Sequence, residues 1–250
     1  MAHMEFNNEC DVNLDGQLQY QRGVLVITTE TDDKIQINPD YTLYVNDEKV
    51  SLNEQQQQWV TDYYQSIETA VPMTVEIASE GLEVASYAVT NAFGSLLGAD
   101  DDLVLEFNEF FASLSDELKQ NFYAADGSYA FDSTNFEGDS DGWLGSGWAN
   151  EFESRVEDLV SKSMGKIMIK IGTEMMLSGG NSEDFEAKME KFGEDIEKDV
   201  EQRANVLEQK ANALCGVLAR ADYAENNMQA SINGLEGLNV IEVSNYDLQK

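Results

Sequence analysis

The chain has 250 residues, with 48 Asp and Glu against 15 Lys and Arg, a formal charge of −33. A surface this negative repels phosphate backbones and anionic headgroups, so neither nucleic acid nor a membrane surface is expected as a partner. Hydrophobic residues at 42% and aromatics at 10% still supply a core, which a charge-rich disordered chain lacks.

Residues 1–4 (Met1-Ala2-His3-Met4) read as the remnant of an expression leader and hold the only histidine, His3. Without it there is no imidazole to serve as general base, proton shuttle or metal ligand. That sets aside Ser-His-Asp and Cys-His nucleophiles and histidine-bound zinc. No glycine-rich phosphate loop or other cofactor motif is present, and no cofactor is expected.

Residues 5–52 read as a β-meander. Gly23–Thr29 is a β-branched run, Lys34–Asn38 alternates with period two, and Tyr41–Val45 and Lys49–Leu52 flank an Asn46-Asp47 hairpin turn. The period then changes, and residues 53–123 read as helices. Asn53, with Gln56 three residues on, caps a helix reaching about Thr69. A second helix follows Pro72, with Val75, Ala78, Leu82, Ala85, Val89, Ala92 and Leu96 on one face. Asp100-Asp101-Asp102 offers carboxylates to a third, whose stripe is Phe107, Phe111, Leu114, Leu118 and Phe122.

Residues 124–148 form a Gly- and Trp-rich loop, in which Tyr129–Phe131 is a candidate extra strand. Residues 149–234 return to long helices. The second half of the first (Ile167, Met168, Ile169, Ile171, Met175, Met176, Leu177) is apolar almost all round, which predicts a central, buried helix. The next, capped by Ser182 or Asn181, keeps its stripe from Phe185 to Leu218, and the run from the cap is nearly forty residues, roughly 55–60 Å. Residues 235–250 hold a terminal strand and tail. No apolar run reaches the ~18 residues of a spanning helix. The fold class is α+β: an antiparallel meander packed beside long antiparallel helices, expected as one compact unit.

Leu43-Tyr-Val-Asn-Asp-Glu-Lys-Val-Ser-Leu-Asn-Glu-Gln-Gln56 resembles the strand–turn–strand–helix signature of the YggN-like family of bacterial envelope proteins. Ala70-Val-Pro72, Ser163-Met164-Gly165, and Ala213-Leu214-Cys215 followed by Ala221-Asp222 are similar to later points of that family. By spacing alone, Cys10 and Cys215 are as well read as two unrelated thiols as a bridge. The resemblance implies a Cys10–Cys215 disulfide and a periplasmic or secreted protein made with a signal peptide. It implies no catalytic residues.

Other constellations have competing readings. Asp11-x-Asn13-x-Asp15-Gly16 and Glu137-x-Asp139-x-Asp141-Gly142 spell the first half of a calcium loop, but Arg22 and Trp148 stand where a bidentate Glu is needed; ordinary turns explain such matches. Lys162, Lys166 and Lys170 form a basic row suited to an acidic partner or, more commonly, to acids on a neighbouring helix. Trp143 and Trp148, with Phe131 and Phe136, are candidate partner anchors or a satellite core. Met164, Met168, Met175, Met176 and Met189 suit an adaptable groove, although methionine at helical spacing is usually core. The expected function is a non-enzymatic periplasmic binding or assembly protein holding an envelope protein or peptide on a helical surface. The alternatives are a cell-wall or carbohydrate hydrolase using paired carboxylates and a calcium-dependent structural module.

Overall fold

The computed structural model describes residues 2–6, 10–124, 126–133, 148–177 and 182–246; side chains of 2–6, 148–153, 171, 174, 175, 177, 182–189 and 192 are not described. The chain divides into two units where one was expected: Met1–Ile77, Leu118–Ser146 and Glu208–Lys250 form the first, and Ala78–Glu117 with Gly147–Leu207 the second. At 77/78, 117/118 and 207/208 the helical pattern carries no break, so the sequence has no signal for these borders.

The first unit holds two antiparallel sheets. In the larger, β3 (Gln17–Gln21), β4 (Val24–Thr28), β5 (Lys34–Ile37), β6 (Leu43–Val45) and β7 (Glu48–Lys49) follow one another, and β8 (Ala130–Asp132) pairs with β3, adding the strand expected near Phe131. Alternation drives it. Gln17, Gln19 and Gln21 face out while Leu18 and Tyr20 face in, and inward pairs such as Leu18↔Ile27 and Leu25↔Ile37 line one buried face. Arg22-Gly23 and Asn46-Asp47 close two-residue hairpins with positive φ at both positions, as the right-handed twist of the strands prefers. Asn46 tolerates this because its carboxamide accepts from the Lys34 N–H at 2.9 Å and donates to Asp33.

The smaller sheet joins β1 (Ala2–Phe6), β2 (Cys10–Leu14) and β9 (Ile241–Ser244), so three of the four leader-like residues pair as strand. Gly16, at φ +89°, turns β2 into β3; a Cβ there would meet the Thr28 carbonyl at 2.8 Å.

α1 (Glu54–Leu97) begins with the expected box: Asn53 Oδ1 accepts from the Gln56 N–H at 2.9 Å, and Gln56 Oε1 accepts from the Asn53 N–H at 3.0 Å. It then runs through Pro72, where the sequence predicts a break. Pro72 withholds one N–H, but Ala70, Val71 and Val75 around it are buried, and that packing holds the turn. In this unit Tyr63, Tyr64, Ile67 and Val71 of α1, with Ala221, Ala224 and Met228 of α4 (Ser182–Ser231) and Ile232 just past its end, cover the inner face of the large sheet. Beside them Cys10 and Cys215 form a disulfide, buried among Val12, Ala70, Leu214 and Leu218.

The second unit has a smaller core. Leu103, Phe107, Phe110 and Leu114 of α2 (Asp102–Phe122) pack with Leu159 of α3 (Trp148–Leu177) and, from α1, with Leu82, Val89 and Phe93. Asp101 caps α2, its carboxylate accepting the Leu103 N–H at 2.9 Å. The Tyr87 hydroxyl donates to Asp199 of α4, and the Arg203 guanidinium stacks over the Tyr87 ring at 4.2 Å. Among the described residues no helix is long and apolar enough to cross a membrane.

Candidate functional site

Helix α3 has two unlike faces. Val156 and Leu159 pack with Phe107 and Phe110, and one turn on Ser163 is buried. Beside this line stand the predicted lysines. Lys162 reaches Glu106 at 3.0 Å and Asp158 at 2.7 Å, and Lys166 reaches Asp101 at 2.6 Å. These bonds hold the Asp101 carboxyl below the usual carboxylate range and push the Lys162 ammonium up. Lys170 also has a partner. Lys162 and Lys166 thus tie α3 to α2 and to its cap in this unit.

The other face is open. Val160, Met164 and Met168 rise along it at four-residue steps, and it continues round to Ile169 and Met176. Met164 is 62% exposed, Ile169 71%, Met168 74% and Met176 84%. This corrects the expectation of a central, buried helix: apolar periodicity says which side chains gain from burial, but among the described residues this chain supplies no cover for them. Gly165 and Gly172 leave the surface flat, since a Cβ at either would meet nothing within 4 Å. From Leu159 to Thr173 the helix carries three lysines and no acid, in a chain of net −33. The face can therefore take an apolar segment without setting acid against acid. Methionines suit that use, because three rotatable bonds let one surface fit several shapes.

The remaining candidates are placed as follows. Asp11 and Asn13 lie in β2, paired on both sides, and Asp11 accepts from the Asn245 amide at 2.6 Å; Asp15 donates its N–H to the Val240 carbonyl. This corrects the loop reading, since an extended, paired strand does not wrap an ion as a calcium loop does. Glu137, Asp139, Asp141, Trp143 and Phe136 lie outside the described residues, as do the side chains of Trp148, Met175 and Met189. Phe131 packs against the core of the first unit, 6.0 Å from Phe122. Among the described residues no group of three or more His, Cys, Asp or Glu gathers as a metal site would need.

Sequence reasoning missed Glu225. It lies in the buried stripe of α4 between Ala224 and Met228, where its Oε1 accepts the backbone N–H groups of Val240 at 2.5 Å and Ile241 at 3.1 Å. One turn earlier Asp222 accepts the N–H of Val243 at 3.2 Å. Burial pushes the Glu225 carboxyl up to about 7 and raises Asp222 as well. A raised carboxyl beside a second acid is the signature of a hydrolase pair, but these two grip the backbone leading into β9 inside the fold. The available signal was an acid interrupting an apolar stripe.

No curated protein and no solved structure matches the chain. The family model described as "Protein of unknown function (DUF2884)" matches residues 10–241, nearly the whole length, in keeping with the resemblance read from Leu43 to Gln56. The chain belongs to this family.

Proposed function

We propose that the protein is a non-enzymatic binding or assembly protein of the bacterial periplasm, which holds an envelope protein or peptide against the open face of α3. One observation carries this reading: Met164, Met168, Ile169 and Met176 stand mostly in water on one helix of a strongly acidic chain. Each such side chain would release about 1.5–3 kcal/mol on full burial, so a segment covering three or four of them binds usefully even after ordering costs. The Cys10–Cys215 disulfide supports an oxidising compartment.

The test is suppression of aggregation of reduced α-lactalbumin by excess protein. Wild type is expected to suppress it. A Met164→Ser, Met168→Ser, Ile169→Ser variant is expected to lose most of the effect while melting at the same temperature, because these side chains are exposed. Equal suppression by the variant, or none by wild type, would refute the proposal.

A further inference from the structure

A second surface lies in the unit that holds the two sheets. One face of α1 carries Trp59, Asp62 and Ser66, the facing turn of α4 carries Arg220 and Tyr223, and an open groove of about 410 Å³ runs between them. Trp59 and Tyr223 meet edge to face, centroids 5.7 Å apart and planes at 83°, and Tyr223 is 54% exposed. Arg220 makes no ion pair or hydrogen bond among the described residues, and neither do the side-chain hydroxyls of Tyr223 and Ser66. In a chain with three acids to each base, a guanidinium without a carboxylate partner is available to a ligand. Asp62 supplies an acceptor, held by the Gln58 amide at 2.7 Å.

This set of groups selects among ligands. Ala224 is the only aliphatic side chain of the lining, so an apolar peptide side chain finds little to enter. A sugar ring matches better. Its C–H face packs on aromatic rings, and each hydroxyl both donates and accepts, as a set of Arg, Asp and Ser requires. Asp62 inside the groove and the charge of −33 around it oppose an acidic sugar. We propose that this groove binds a neutral hexopyranose unit of a glycan, a role separate from that of the α3 face.

The full chain is titrated with maltopentaose, cellopentaose and chitopentaose, and with pentagalacturonate as the anionic counterpart, following the Trp59 indole N–H by NMR. At least one neutral oligosaccharide is expected to shift that resonance. Arg220→Ala and Tyr223→Ala are each expected to weaken its binding about tenfold or more, with unchanged melting temperature. Three results would overturn the proposal: no Trp59 shift with any neutral probe at about 10 mM, full affinity in both variants, or tighter binding of pentagalacturonate.

Discussion

Glu225→Gln isolates the energetic consequence of burying one carboxyl. An ordinary glutamate titrates at 4.5, whereas desolvation moves Glu225 to about 7. Between these values the folded protein keeps a proton that the unfolded chain has released, so stability falls as pH rises through this window. At about 1.4 kcal/mol per unit, the loss from pH 4.5 to 7 sums to roughly 3 kcal/mol. It is absent below the unfolded value, where both states are protonated, and complete above 7, where both are charged. Glutamine keeps a carbonyl oxygen for the Val240 and Ile241 N–H groups and never ionises. Its amide can donate to the Tyr63 hydroxyl, which is buried beside this side chain. Urea unfolding of both proteins from pH 4.5 to 8 should give equal stabilities at the acid end. At pH 8 the variant should be the more stable, by up to about 3 kcal/mol. A difference that does not change with pH, or a variant less stable at pH 8, would refute this account of the buried carboxyl.

Unreduced protein should show no reactive thiol and, after reduction in denaturant, two; reduction should lower stability by up to about 4–5 kcal/mol, since Cys10 and Cys215 close a loop of 205 residues. Free thiols in unreduced protein from its native compartment would remove the argument for an oxidising location. Asn53→Ala should cost about 1 kcal/mol through loss of one half of the reciprocal cap on α1. Asn53→Asp should restore most of it, as measured by thermal unfolding.

Much of the fold was legible because local chemistry and tertiary packing agree. Asn46-Asp47, the Asn53–Gln56 box and the Asp101 cap each name a backbone conformation and supply its hydrogen bonds from the same few residues. β3 was missed because only Leu18 and Tyr20 mark its inner face between three glutamines, a pattern too short to stand out. Pro72 reads as a stop because its missing N–H is visible in sequence, whereas the buried neighbours that outweigh it are not. The open face of α3 is illegible for a related reason. A stripe of Val, Met and Ile has the same sequence whether its cover comes from its own chain or from elsewhere. The Glu225 position was hidden because one acid among 48 draws no notice until β9 is seen against it.

The pairing of β2 with β9 sets an order in time. Residue 11 lies opposite residue 244, and the large sheet receives part of its cover from residues 221–232. A ribosome emits some two hundred residues between them. Until the last of the chain emerges, Leu25, Ile27, Ile35 and Ile37 lack that part of their cover, and Cys10 has no sulfur to join. Contacts this distant in sequence close slowly. During synthesis the young chain is therefore itself an exposed apolar surface, and its high negative charge keeps such half-made copies apart.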